Sequence, residues 1–275
     1  MRFKDNVRFV LAKVLFRETV LFSKRADWEW PIRNKFKRYF PMFFYEFNEI
    51  NPDLFDLVIP MTIHAQRYIN EHHAYLKWRK ALNPSNNAMD LCDNKEEFSN
   101  FLIINGFADF VPKTNEIFAY PYILKKKIGE WGLDLIVIND AECELAHINE
   151  IESGDYFRQE YIEGKDEYTT HIIINNKKIS FYKTLKFTFA ERFFIKGKHF
   201  KHISQEIVDH SQFKDLFEVI LNTLEYQGIC CFNYKLFKDK PKIFEINPRY
   251  GASMTTFINE ALISYRDILK KSNRV

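Results

Sequence analysis

Hydrophobic and polar positions along this chain change period several times, and each change predicts an element. Val7, Val10, Leu11, Val14, Leu15, Leu21 and Phe22 recur at helical spacing, which predicts a helix over Val7–Phe22. Phe43–Phe47 and Leu57–Pro60 read as strands, and Ile63–Trp78 as a helix. Leu82–Asn87, with Pro84, Ser85 and two asparagines, reads as a connection. A helix capped by Asp93 or Asn94 then runs to a stop at Gly106. Strands are predicted at Tyr120–Lys125, Leu135–Ile138 and Phe157–Ile162. Tyr168–Ile174 and Lys178–Tyr182, joined by Asn175 and Asn176, form a tight hairpin. A helix over Ser204–Tyr226, a second hairpin and a helix near Thr255–Leu269 complete the series. No internal repeat is visible, and the mixture is α+β with several antiparallel hairpins.

The second hairpin carries the densest chemistry. Its strands are Gly228–Phe237 and Lys242–Asn247, with Lys238 to Pro241 as the turn. Alternation places Phe244 and Ile246 on one face, Glu245 and Asn247 on the other. Taking Asp239 as the centre of the turn puts Asn233 opposite Glu245 and brings a third side-chain oxygen to the same spot. A carboxylate and amide oxygens so grouped suit a hard cation. Pro248 ends the strand, and the exit loop holds Arg249, Gly251 and Ser253. Arginine there suits a phosphate or carboxylate.

Composition narrows the alternatives. The 275 residues are 46% hydrophobic and 28% charged, enough for one large domain or two smaller ones. The 28 Phe and 14 Tyr predict an aromatic core. No apolar run is long enough to span a bilayer, and Lys13, Arg17 and Glu18 interrupt the N-terminal run, which argues against a signal peptide. Cys92, Cys143, Cys230 and Cys231 lack metal-ligand spacing and read as buried free thiols, as in a reducing cytoplasm. The histidines form no metal-binding cluster, and His72–His73 reads as surface. Serine-hydrolase and P-loop sequences are absent. Residues 1–40 hold eleven Lys or Arg against four Asp or Glu. The favoured reading of that arm is a helix packed on its own domain with a solvated basic face. A membrane-surface contact is the alternative.

Glu245-Ile246-Asn247-Pro248-Arg249-Tyr250-Gly251-Ala252-Ser253 resembles the metal-binding end of the ATP-grasp superfamily, whose members often carry Glu-x-Asn-Pro-Arg-x-Gly-x-Ser there. The similarity covers roughly Leu57 to Ser253, with its elements in order. Asp93-Asn94-Lys95 stands where the family opens a helix with its first nucleotide lysine. Lys125 matches the strand-end lysine, and Gly129 and Gly132 bracket the loop over the phosphates, although Glu130 and Trp131 replace smaller residues. Glu160, Tyr161 and Ile162 match the hinge whose backbone meets adenine. Glu167 matches the ribose acid, with Asp166 the other candidate because one extra residue follows Gly164. Asn233 stands where many members have Asp, which implies weaker metal binding.

The resemblance implies an ATP-grasp fold, two α+β subdomains clasping ATP (residues 89–275), preceded by a shortened, atypical N-terminal α/β unit (residues 1–88). The usual opening strand and glycine-rich turn are not evident in residues 1–40. It further implies an ATP-dependent carboxylate–amine ligase acting through an acylphosphate. Asn233, Glu245 and Asn247 would hold Mg²⁺ (or Mn²⁺), Lys95 and Lys125 the phosphates, and Arg249 the reacting group. Small-molecule carboxylates and amines, among them sugar or amino-acid metabolites, are the implied partners; no nucleic-acid motif is present. A homodimer stays open. The alternatives are carboxylation through carboxyphosphate, a degenerate ATP-binding sensor or scaffold, and a basic membrane-surface protein.

Overall fold

The computed structural model of the protein describes residues 3–15, 17–35, 40–77, 79–129, 135–192, 194, 196 and 201–272. It opens with helix α1 (Phe3–Val14), strand β1 (Val20–Ser23), helix α2 (Ala26–Lys35), strands β2 (Met42–Tyr45) and β3 (Leu57–Ile59), and helix α3 (Ile63–His72). The three strands pair in parallel in the order β2-β1-β3. Alternation along β1 sends Val20 and Phe22 to the core shared with the rest of the chain. Leu21 goes to a second core, with Phe43, Phe55 and Val58.

The helix expected over Val7–Phe22 is therefore cut short. Val20, Leu21 and Phe22 form the central strand of this sheet, fully buried on both faces. A short apolar run of that kind carries no periodicity that separates strand from helix; β2 and β3 pair with its edges, and residues of α2 and α3 are among those that bury its two faces. The opening strand that residues 1–40 were expected to lack is thus present. The face of α1 that packs is also not the expected one. Phe9 and Ala12 meet the sheet, while Val7, Val10, Leu11, Val14 and Leu15 lie exposed.

Next come α4 (Asn86–Asp93), α5 (Lys95–Leu102), β4 (Tyr122–Lys126), β5 (Leu135–Ile138), α6 (Ala141–Ala146), α7 (Ile148–Glu152) and β6 (Tyr156–Glu160). Asn94 caps α5, the helix expected from near Asp93, while α4, capped by Ser85, is a further helix just before it. Across the first turn of α5, Oδ1 of Asn94 accepts from Glu97 N and Nδ2 of Asn94 donates to the Glu97 carboxylate. Strands β5-β4-β6 form a small antiparallel sheet.

The larger sheet is antiparallel, in the order β11-β10-β7-β8-β9. Its strands are β7 (Asp166–Asn175), β8 (Lys178–Thr188), β9 (Ser204–Val208), β10 (Gly228–Phe237) and β11 (Lys240–Asn247), with α8 (Lys214–Thr223) before β10 and α9 (Ile258–Ser272) at the end. The β7–β8 turn centres on Asn176 and Lys177, both at positive φ, one residue later than expected. Ser204–Val208 pairs with β8 as an exposed edge strand, so the helix expected over Ser204–Tyr226 is confined to α8.

One face of this sheet packs Ile172, Phe232 and Tyr234 against Phe217, Ile220 and Leu221 of α8 and Phe98 of α5. The other face carries Ile173 and Phe181 into the core shared with β1–β3 and α9. Tyr265 of α9 stitches the parts together: its hydroxyl donates to Val58 O at 2.8 Å and accepts from Leu82 N at 2.6 Å. Among the described residues no helix is long and apolar enough to cross a membrane. All four cysteines are free thiols.

Candidate functional site

Strands β10 and β11 pair Asn233 with Glu245, as the hairpin reading expects, but a bulge is what produces that register. The turn sets Phe237 opposite Lys240 and Tyr234 opposite Ile243, and the register then slips so that Asn233 meets Glu245. Phe244 is the extra residue. A bulge turns two successive side chains to the same side. Phe244 therefore lines the cleft beside Glu245 and Asn247, while Ile243 and Ile246 enter the core. The expected pairing of Phe244 with Ile246 on one face does not hold.

Oε1 of Glu245 accepts from Nδ2 of Asn233 at 2.8 Å and Nδ2 of Asn247 at 2.9 Å. Oδ1 of Asn233 in turn accepts from the Thr169 hydroxyl at 2.8 Å. Burial opposes the charge of Glu245. Lys95, Lys125 and the two amide donors outweigh it and hold the carboxyl at about 2. Lys125 is buried, and its Nζ donates to the carbonyl of the bulged Phe244 at 2.9 Å. Burial pulls its ammonium down to about 8 despite Glu245. Lys95 stands at the first turn of α5 and donates to Gly129 O at 2.6 Å. Lys126 also borders the cleft. Gly132, Glu130 and Trp131 lie outside the described residues.

Arg249 is buried on the exit from β11, its guanidinium 5.6 Å from the ring centroid of Trp28, which belongs to α2. Arg25 covers the same indole at 4.1 Å. Sequence reading missed Trp28, since nothing local to α2 ties it to a loop more than two hundred residues away. A Cβ on Gly251 would come within 3.0 Å of Cys231 Sγ and 3.1 Å of His171 Cε1, so glycine is what lets the loop cross β7 and β10 here. Ser253 Oγ lies 2.9 Å from Nε2 of His171. Burial, with Lys196 nearby, pushes His171 down to about 3, so the ring is neutral. Its buried Nδ1 has no partner. An unpaired N–H is harder to bury than a lone pair. That favours the proton on Nε2, donated to Ser253, and leaves the serine hydrogen for the cleft.

Alternation along β7 turns Glu167, Thr169 and His171 toward this cleft. Asp166 bonds Thr188 at 2.7 Å and pairs with Lys186 at 3.3 Å, so of the two acids it is Glu167 that lines the cleft. Lys196 ties that acid in place, 3.2 Å from Glu167 and 2.9 Å from Thr169 Oγ1. At the end of β6, Tyr161 and Ile162 line the cleft, whereas the Glu160 carboxylate points out to Lys113 N at 3.1 Å. Lys235 donates to Ile162 O at 3.0 Å, and burial lowers it to about 8. Lys196 and Lys235 were not among the sequence candidates. Alternation from Cys231 and Asn233 would have found Lys235; no pattern announces Lys196.

These groups share one cavity of about 870 Å³ between the two antiparallel sheets, closed at one end by α2. Cations outnumber carboxylates along its wall, as binding of a polyphosphate requires. The family model of the ATP-grasp domain matches residues 92–253, more than half of the chain. The chain belongs to the ATP-grasp family. Solved structures agree on the fold. The D-alanine–D-alanine ligase of Bacillus anthracis, complexed with ATP, has a TM-score of 0.62 at 12% identity, covering 94% of this chain and 97% of that one. Phosphoribosylamine–glycine ligase from Thermotoga maritima gives 0.63 at 15%, covering 90% and 75%. Biotin carboxylase from Campylobacter jejuni gives 0.60 at 13%, covering 98% and 68%. No curated protein matches by sequence.

The ATP-grasp fold implies a divalent cation at the β10–β11 end. Among the described residues no group of three or more His, Cys, Asp or Glu is arranged to hold a metal. The donor set here is different, one ionised carboxylate with two amides. Both amides now turn N–H toward Glu245, and each presents its oxygen after a half-turn of its last torsion. A set with one charge and neutral oxygens suits Mg²⁺, which keeps waters and phosphate oxygens in its shell. The residues fit.

Proposed function

We propose that the protein is an ATP- and Mg²⁺-dependent ligase that joins a carboxylate to an amine through an acylphosphate. The observation that carries this reading is the convergence of Lys95, Lys125, Glu245 and Arg249 on one cavity, with both lysines close enough to Glu245 to help hold it ionised. Adenine would lie at Tyr161 and Ile162, against main-chain atoms of the strand end. Glu167, steadied by Lys196, would accept from the ribose hydroxyls. Lys95 and Lys125 would meet the phosphates, and Gly129 the loop above them. Asn233, Glu245 and Asn247 would hold Mg²⁺, whose charge would neutralise the phosphate oxygens.

In the first half-reaction a substrate carboxylate oxygen bonds the γ-phosphorus as the bond to the β-phosphate oxygen breaks, giving the acylphosphate and ADP. In the second, the amine bonds the acyl carbon, phosphate leaves, and the nitrogen loses a proton. Arg249 would bind the oxygens on which charge gathers, braced by Trp28, with Ser253 donating beside it. Positioning and charge do most of this work. The small-molecule partners and the cytoplasmic setting belong to the same proposal.

A second reading, a nucleotide-binding module without turnover, draws on Asn233, whose amide oxygen is occupied by Thr169. Phosphate release from ATP, screened across pooled carboxylates and amines with Mg²⁺, separates the two. Acceptor-dependent release supports the ligase. ATP binding with no release from any pool supports the module.

A further inference from the structure

Helix α1 packs on the side of the N-terminal sheet that faces away from the cleft. Its anchors are firm. Phe9 lies 5.8 Å from Phe43 and 5.3 Å from Phe55, Lys13 pairs with Asp56 at 2.7 Å, and the Tyr45 hydroxyl donates to Asp5 at 2.6 Å. Phe43 and Phe55 belong to the core opposite the one that contains Phe22, Trp28 and Tyr250. The helix is thus held in one orientation, with the catalytic cleft behind it.

The outward face of this fixed helix is apolar. Phe3, Val7, Val10, Leu11 and Val14, with Leu15 just beyond, are between 46% and 82% exposed. At about 100° per residue the five helical ones fall within an arc of roughly 100°. Lys4 and Arg8 run along one edge of that stripe and are exposed, Arg8 reaching back to Met42 O at 3.4 Å. Asp5, the helix's single acid, is turned inward to Tyr45. Asp56 is paired with Lys13, Asp53 with Lys80, and Glu18 with Arg266 and Lys270. A row of large apolar side chains edged by basic ones, on an arm of strongly positive balance, is the surface that lies on an anionic bilayer, its rings and branches among the acyl chains and its cations at the headgroups.

A second copy of the chain fits less well. Twelve residues of helix make a strip about 18 Å long. That is too small for the roughly 800 Å² per partner of a stable interface. A two-fold contact would also bring two strongly basic arms together, eleven Lys or Arg against four acids in each. We infer that the exposed face of α1 docks the protein on an anionic lipid surface, leaving the cleft open to solvent on the opposite side.

The test is co-sedimentation of the full chain with vesicles of phosphatidylcholine alone and of phosphatidylcholine with about one-third phosphatidylglycerol. Binding should be at least tenfold stronger to the anionic vesicles. It should weaken when salt rises from about 0.1 M to about 1 M, which shortens the screening length from about 10 Å to about 3 Å. The double variant Val10→Glu, Leu11→Glu should lose at least tenfold in vesicle binding with an unchanged melting temperature, because both side chains already face water. Light scattering run in parallel should give a monomer. No binding to anionic vesicles overturns the inference, as does equal binding to neutral ones. A dimer that the double variant dissociates overturns it in favour of a second copy.

Discussion

Nζ of Lys125 lies 2.9 Å from the main-chain oxygen of Phe244, the residue that the bulge in β11 leaves without a ladder partner. An amine from the small sheet thus crosses to the large one and satisfies a carbonyl freed by the bulge. The contact sets the lysine beside Glu245 and joins the two walls of the cleft.

Lys125→Met should weaken ATP binding by at least tenfold, since it deletes a buried positive charge at the proposed phosphate site. Lys126→Met, at the rim, should change it by less than threefold. Calorimetric titration of both variants decides. Equal losses would move the phosphate site off Lys125.

Glu245→Gln keeps the shape and removes the carboxylate. Mg²⁺-dependent stimulation of ATP binding should disappear, and binding without Mg²⁺ should hold or improve. Asn233→Asp should move the other way and lower the Mg²⁺ concentration needed for half-maximal binding. Calorimetry at several Mg²⁺ concentrations reads both effects. Unchanged Mg²⁺ dependence in Glu245→Gln would remove this residue from the cation site.

Arg249→Lys separates chemistry from binding. The charge stays, but the fork of donors is lost and contact with Trp28 weakens. Turnover should fall by about tenfold to a thousandfold, the cost of losing one donor to developing charge. ATP affinity should move by less than threefold. Parallel losses in both would place Arg249 on the nucleotide instead.

His171 makes the stability pH-dependent. Burial, reinforced by Lys196, holds it down to about 3, below its ordinary 6.5, so the folded state resists protonation while the unfolded chain accepts it. Stability from this group is full above the unfolded value and is lost as pH falls below it. Between pH 7 and pH 5 the loss is about 2 kcal/mol. Urea unfolding of the wild type and of His171→Gln at both pH values checks this. The variant should lose less on acidification by about that amount, whatever its stability at pH 7.

Much of the site was legible because its signals are local. Alternation put Glu245 and Asn247 on one face, and the position of the turn put Asn233 opposite Glu245. The cap at Asn94 needs only the next turn of chain. The motif from Glu245 to Ser253 lies within the ATP-grasp match over residues 92–253 and is local in sequence. The rest depended on surroundings that no local pattern contains. Val20–Phe22 is a strand because β2 and β3 pair with both its edges while cores on either side of the sheet bury its two faces, and Ser204–Val208 because β8 offers an edge. The bulge at Phe244 reverses one step of the alternation, and its carbonyl then finds Lys125 from another sheet. Trp28 behind Arg249, Lys196 on Glu167 and the choice of which side of α1 meets solvent are likewise contacts between distant segments. Sequence sets what each segment can bury and bond over a few residues; packing decides which of those options is taken, because burial energy accrues only where another surface arrives.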